Sequence, residues 1–208
     1  LDAGVELSLN KGELMLLTGA SGSGKSTILR AIAGQPGPGV HVRIGGVQPA
    51  SIDPEALAQS VTLISQDSYI FDGTIRENLE LAAPAANEPE LWKALAAAAL
   101  DDTVAGFPAG LDTAVGPGGT ALSGGQRRRL SVAQGLLRRA DALLLDEPTE
   151  SLDAQTAARL LIGVRAYDPH SALVIALHNR QSLQLPWTPN TSIELSPGGA
   201  GPIRGSGS

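Results

Sequence analysis

Cysteine is absent from the 208-residue chain, which excludes disulfides and thiolate metal sites and is compatible with a reducing compartment. Aromatic residues make up only 3%, so a core has to be assembled from Leu, Ile, Val and Ala. No apolar run comes near the roughly 20 residues that a bilayer span requires. The most hydrophobic stretches, 14–17, 143–145 and 173–177, have the length of buried strands. A basic excess is lacking too, and a net charge of −6 speaks against a chain that grips nucleic acid through its overall field. No signal-peptide pattern is read at the start of the sequence, whose first residue is Leu1 rather than Met. With the linker-like tail Gly205-Ser206-Gly207-Ser208, both ends read as cut, so any membrane role is expected from a part outside this sequence.

What is present fits an α/β domain with a proper core and room for a smaller subdomain. Four apolar runs, 14–18, 61–65, 142–145 and 173–177, lack period-2 alternation. This predicts central strands of a largely parallel sheet covered on both faces. Residues 25–33 predict a helix stopped by Gly34 and Pro36. Residues 41–46 alternate and predict an edge hairpin. Asn87 caps a helix expected to run through the alanine-rich segment to about Leu100. Seven glycines and prolines in 105–119 predict a loop. Residues 123–139 then carry Leu130, Ala133, Leu136 and Leu137 on one face, and Arg138 and Arg139 suit the negative end of that helix dipole. A further helix is expected from Asp153, with Ala157, Leu160, Leu161 and Val164 on one stripe. The expected organisation is a core formed by 1–67 and 141–200, a helical insertion at 68–140, and a flexible tail at 201–208.

The sharpest signal is Gly19-Ala20-Ser21-Gly22-Ser23-Gly24-Lys25-Ser26-Thr27, which satisfies G-x-x-x-x-G-K-[ST] between a strand and a helix. Its glycines let backbone N–H groups turn inward around a phosphate, and the helix N-terminus adds its positive dipole end. Lys25 reaches the β and γ phosphates, and Ser26 offers a hydroxyl oxygen to Mg²⁺. Leu143-Leu144-Leu145-Asp146-Glu147 is an apolar strand ending in two carboxylates. Asp146 would hold Mg²⁺ through water, and Glu147 could polarise an attacking water as a general base.

Leu122-Ser123-Gly124-Gly125-Gln126 opens a helix with a serine and two glycines, which makes a second anion site besides a helix cap. One chain has no need of two γ-phosphate sites in separate subdomains, whereas two chains packed head to tail do. The run Arg127-Arg128-Arg129 spreads around a helix rather than forming a stripe. It is read as solvated charge with field support for the phosphate site, not as a nucleic-acid surface.

In this order the motifs resemble those of the ATP-binding cassette family, over nearly the whole chain from Leu1 to about Leu195. The resemblance implies a P-loop NTPase core of the RecA-like kind with a largely parallel sheet, a small antiparallel edge part and an inserted helical subdomain. It implies ATP and Mg²⁺ as ligands. Residues 122–126 resemble the signature motif. Gln66 resembles the Q-loop glutamine, which contacts Mg²⁺ and the attacking water. Ser151-Leu152-Asp153 resembles the D-loop, which reaches the opposite site, and His178 the switch histidine that senses the γ-phosphate. Phe71, Thr74, Ile75 and Asn78 after the Q-loop resemble exporters with fused membrane and ATPase domains. That implies a second ATPase domain as head-to-tail partner, a membrane-spanning domain upstream, and a place on the cytoplasmic face of the bacterial inner membrane. Glu150, where many exporters carry Ser or Ala, resembles the CydC half of the CydDC exporters, linked to cytochrome bd assembly and to thiol export or haem handling.

Two departures stand beside the likeness. The family's adenine-stacking aromatic would lie upstream of Leu1, which leads us to expect weaker ATP binding here. Ala133-Gln134-Gly135 stands where the family has Ala-Arg-Ala, which either loosens the helix or alters a contact with the Q-loop. An exporter ATPase for lipid, drug or peptide and a non-catalytic binding domain are alternative readings, and a nucleic-acid ATPase and an importer ATPase are two more. The acidic charge opposes the nucleic-acid reading, and the 71–78 stretch opposes both of the last two.

Overall fold

The computed structural model describes residues 10–35, 42, 47–66, 69–178, 187–196 and 199–200. Six strands and seven α-helices follow in the order β1 (Leu14–Gly19), α1 (Lys25–Ile32), α2 (Pro54–Ser60), β2 (Val61–Ile64), α3 (Ile75–Ala82), α4 (Glu88–Ala97), α5 (Asp101–Ala105), α6 (Gly124–Leu137), β3 (Ala142–Asp146), α7 (Ala154–Tyr167), β4 (Ala172–Leu177), β5 (Thr191–Ser196) and β6 (Gly199–Ala200). The strands form one sheet in the order β2-β3-β4-β1-β5-β6. Every neighbouring pair is parallel except β5 with β6. The four strands expected from apolar runs are all there. Their continuous hydrophobicity follows from burial, since each residue of β4 and the first five of β1 are buried.

The contacts divide the chain into two compact units. The first holds 1–65, 140–147 and 170–208 and contains the sheet. Ile28, Leu29 and Ile32 of α1 fill its core against Met15, Leu17, Leu144, Val174, Ile193 and Leu195. The second unit holds 66–139 and 148–169. In it α4 packs on α6 and α7, and α3 packs on α6.

The structure departs from the sequence expectations at three places, and a fourth expectation goes untested. The helix begun at Asn87 ends at Ala97 rather than Leu100, because Ala99 takes a left-handed φ of 54° before α5 starts. Strand β5 had no apolar run to announce it: Ile193 and Leu195 are buried, with Glu194 exposed between them. Residues 148–169 group with the helical unit instead of the sheet core, because the stripe Ala157, Leu160, Leu161 and Val164 of α7 is buried in a helix that packs on α4. Finally, the expected hairpin at 41–46 lies outside the described residues, save the buried Val42.

The α4–α7 crossing is tight at one point. A Cβ on Gly163 would stand 2.8 Å from the Ala97 carbonyl carbon and closer still to its oxygen. Backbone cannot withdraw as a flexible side chain can. Gly163→Ala is therefore expected to destabilise by about 1–3 kcal/mol despite the better helix propensity of alanine. Scanning calorimetry would show this as a fall in Tm of roughly 3–10 °C; an unchanged or raised Tm would mean that the crossing yields freely.

Candidate functional site

In the sheet unit, β3, β4 and β1 are adjacent and parallel. Their C-terminal ends therefore share one edge, where parallel α/β sheets bind ligands. This edge carries Asp146 and Glu147 after β3, His178 after β4, and the glycine loop after β1. His178 is exposed there. Gly19 must lack a side chain, since a Cβ at its φ of 153° would press on the Leu195 carbonyl oxygen and stand 2.7 Å from Ser23 Oγ. Gly24 takes φ 96° as the first flanking residue of α1, with no side-chain hydrogen bond capping that helix. By contrast α3, α4, α6 and α7 all carry side-chain caps, from Thr74, Asn87, Ser123 and Asp153. The first-turn N–H groups of α1, around Ser26 and Thr27, thus form a donor cluster at a positive dipole end that no side chain of the loop closes.

Lys25 is the other half of that cradle. Its side chain is only 4% exposed. Nζ donates to the carbonyls of Gly19 (2.7 Å) and Ala20 (3.0 Å) and lies 3.2 Å from Glu147 Oε1. The ammonium is thus arched back over the loop spanning Gly19, Ala20, Ser21, Gly22 and Ser23. Glu147 takes a left-handed φ of 50°, and its N–H donates to the Ala176 carbonyl of β4 (3.0 Å). That bond and the Lys25 contact hold a conformation unusual for a non-glycine residue.

Asp146 is buried, and its Oδ1 has no hydrogen-bond partner among the described residues. A buried, unsatisfied carboxylate oxygen is costly unless something completes it. Among the described residues no group of three or more His, Cys, Asp or Glu could form a metal cage. One carboxylate and one hydroxyl beside a phosphate site suit Mg²⁺, which takes few protein ligands and completes its shell with water and phosphate oxygens. The chemistry of Asp146 and Ser26 fits that ion.

The helical unit carries the remaining predicted residues. Gln66 is exposed just after β2. Ser123 and Gln126 form a reciprocal cap: Ser123 Oγ accepts from Gln126 N–H (3.2 Å), and Gln126 Oε1 accepts from Ser123 N–H (2.7 Å). Gln126 thereby shapes the entry to α6. Gly124 and Gly125 follow in the first turn, and a Cβ on Gly125 would meet Leu152 Cδ2 at 3.2 Å, so the 149–153 loop lies against the Ser123 turn. Asp153 caps α7, accepting from Thr156 N–H (2.9 Å) and Thr156 Oγ1 (2.6 Å). These bonds hold its carboxyl below the usual range.

The arginine triplet overturns its reading as solvated charge, since none of the three is exposed. Arg127 Nη1 donates to the carbonyls of Leu122 (2.6 Å) and Gly119 (3.4 Å), closing the loop ahead of α6. Arg128 pairs with Glu150 (2.9 Å). Arg129 donates to Gly125 O (3.3 Å) and to Ala99 O (2.5 Å), the carbonyl stranded by the left-handed break after α4. Desolvation lowers the Arg129 pKa. The spread around the helix was the available signal: three side chains in three directions can reach three partners.

The Gln134-Gly135 departure does not loosen the helix. Helix α6 continues through both residues, and Gln134 Nε2 donates to the Asn78 carbonyl (2.9 Å). Asn78, fully buried in α3, ties down the turn before it. Its Oδ1 accepts from Phe71 N–H (2.9 Å), and its Nδ2 donates to the carbonyls of Phe71 (3.0 Å) and Thr74 (2.9 Å). That turn presents Tyr69 and Phe71, exposed and edge to face with centroids 4.9 Å apart.

Comparison with known proteins decides the family. The ABC transporter family model matches residues 3–150. The chain belongs to the ABC transporter family. Its match is to the ATP-binding, ATP-hydrolysing domain, and its relatives fuse that domain to a permease. The mycobactin import ATP-binding/permease protein IrtB of Mycolicibacterium thermoresistibile is 40% identical over 183 residues, which is 87% of this chain and 31% of that protein. The ATP-dependent lipid A-core flippase of Neisseria meningitidis is 39% identical over 155 residues, covering 74% of this chain and 25% of the flippase. Among solved structures, a bacterial Atm1-family ABC exporter with ATP bound superposes with a TM-score of 0.84 at 30% identity, over 96% of this chain and 34% of the exporter. This ABC domain thus spans about a third or less of these relatives, and no helix among its described residues is long and apolar enough to cross a membrane.

Proposed function

We propose that this domain powers a membrane transporter by pairing head to tail with a second ATPase domain around two MgATP molecules. The support is one observation: the chain builds two glycine-opened helix N-termini, at Gly24 and at Ser123, and places them in different compact units. In this reading Gly19 to Thr27 cradle the phosphates, and Lys25 meets the β and γ oxygens. Ser123, Gly124 and Gly125 of one domain meet the γ-phosphate bound by the other, with Asp153 at the same interface. Mg²⁺, held by Ser26 and Asp146 with Gln66, supplies charge neutralisation on the phosphates. Glu147 orients or deprotonates the attacking water, and His178 senses the γ-phosphate. Catalysis is then mostly positioning and electrostatics, and loss of the γ-phosphate reopens the pair.

The fused relatives support a permease in the same chain and a place on the cytoplasmic face of the membrane. Export suits the Atm1-type likeness, while the relatives' printed names span mycobactin import and lipid A-core flipping. The CydC likeness rests on Glu150 and gains no support from these relatives. To test the proposal, the parent transporter would be titrated with MgATP by calorimetry, and crosslinking between the Ser123 turn of one half and the P-loop of the other would be followed. Uptake with ATP-promoted crosslinking is expected. Uptake without it would leave a nucleotide binder and remove the motor.

A further inference from the structure

The 148–153 loop is under conformational load. Ser151 takes φ 64°, a left-handed conformation for a residue other than glycine, four positions after Glu147 does the same. Such a backbone persists only where its surroundings over-determine it. Its far end is fixed by Asp153 capping α7, and its middle by Leu152 lying on Gly125 and by the Leu152 N–H bond to Thr149 O (3.2 Å). At its near end, Glu150 Oε2 meets Arg128 Nη1 at 2.9 Å, with the Arg128 side chain only 16% exposed and that of Glu150 52%. Arg128 lies on the second turn of α6, the helix that Ser123 opens.

We propose that Glu150 and Arg128 are a positioning pair that locks the 149–153 loop to the Ser123 turn, so that the two are presented to the partner's nucleotide as one rigid surface. The inference rests on the head-to-tail reading above. It differs from a stability role in what it controls. A half-exposed ion pair contributes little to folding, but it is directional, whereas the apolar contact of Leu152 with Gly125 holds the loop to α6 without fixing its register. The carboxylate–guanidinium contact fixes that register. Small misplacements of groups across a reacting centre are felt in rate more than in binding.

The test uses the full-length parent transporter and reads kcat, KM for MgATP and Tm. Glu150→Ala, the isosteric Glu150→Gln and Arg128→Ala are each expected to lower kcat about 3- to 5-fold, with KM within about two-fold and Tm within about 2 °C. The reversed pair, Glu150→Arg with Arg128→Glu, is expected to recover at least about half of the wild-type kcat. An unchanged kcat in both Glu150 variants overturns the proposal. So does a loss that the reversed pair leaves uncorrected, or one that tracks a fall in Tm. Ser123→Arg in the same preparation separates the two levels. If it is inactive, the head-to-tail reading stands and the Glu150 results speak to the pair alone. If it is fully active, that reading falls first.

Discussion

Glu147→Gln is expected to slow ATP turnover at least ~100-fold while MgATP binding survives. The substitution is close to isosteric, so the left-handed backbone at position 147 and its N–H bond to Ala176 O are kept. The amide oxygen can still accept from Lys25 Nζ, now 3.2 Å from the carboxylate. What the amide cannot do is take a proton from water or carry the charge that orients it. Loss of rate with retained binding would therefore isolate the chemistry from the architecture. The measurement is single-turnover hydrolysis beside a nucleotide titration of the same protein. Full activity would remove Glu147 from the reaction.

The opposite split is expected at Lys25. Its ammonium is buried, and its partners are two carbonyls and Glu147. Charge-assisted contacts from a desolvated ammonium to phosphate oxygens are worth far more than exposed ones, and truncating one partner of such a pair costs about 2–5 kcal/mol. Lys25→Ala should weaken MgATP binding by roughly 30- to 1,000-fold or more. The loss should vanish for AMP, which has no β or γ phosphate to reach. Equal losses for ATP and AMP would mean that the loop itself had collapsed. Because the same change removes a buried ammonium that bonds two loop carbonyls and meets Glu147, some loss of stability should accompany it.

How much of this was legible beforehand depends on whether the signal is local. Strands β1 to β4 announced themselves because burial on both faces demands unbroken apolar residues, and the G-x-x-x-x-G-K-[ST] loop because only glycines permit its backbone. Strand β5 was silent, since its apolar residues Ile193 and Leu195 are separated by the exposed Glu194 and do not make a run. The break at Ala99 has no local cause either: alanine favours helix, and the left-handed turn is tied to Arg129, thirty positions along, whose guanidinium takes the stranded carbonyl. The arginine triplet was misread for the same reason. Its partners Leu122, Glu150 and Ala99 come together only after the helices pack. The site itself divided likewise. Residue types and order pointed to each candidate, while the Lys25–Glu147 contact and the unsatisfied oxygen of Asp146 needed three dimensions.

The three hydrogen bonds of Asn78 set how far that position can vary. Leu79, buried in the same helix, can exchange with Met or Ile for less than about 1.5 kcal/mol, because dispersion cares about volume. Asn78 instead acts as a borrowed peptide group, donating and accepting toward the backbone of Phe71 and Thr74 beside the bridge that pairs Thr74 with Ala114. Asp matches its outline but offers no N–H to the two carbonyls, Leu offers neither function, and Gln carries the amide one carbon too far. A drifting sequence could rewrite most of the surrounding apolar shell before it could change this one polar residue.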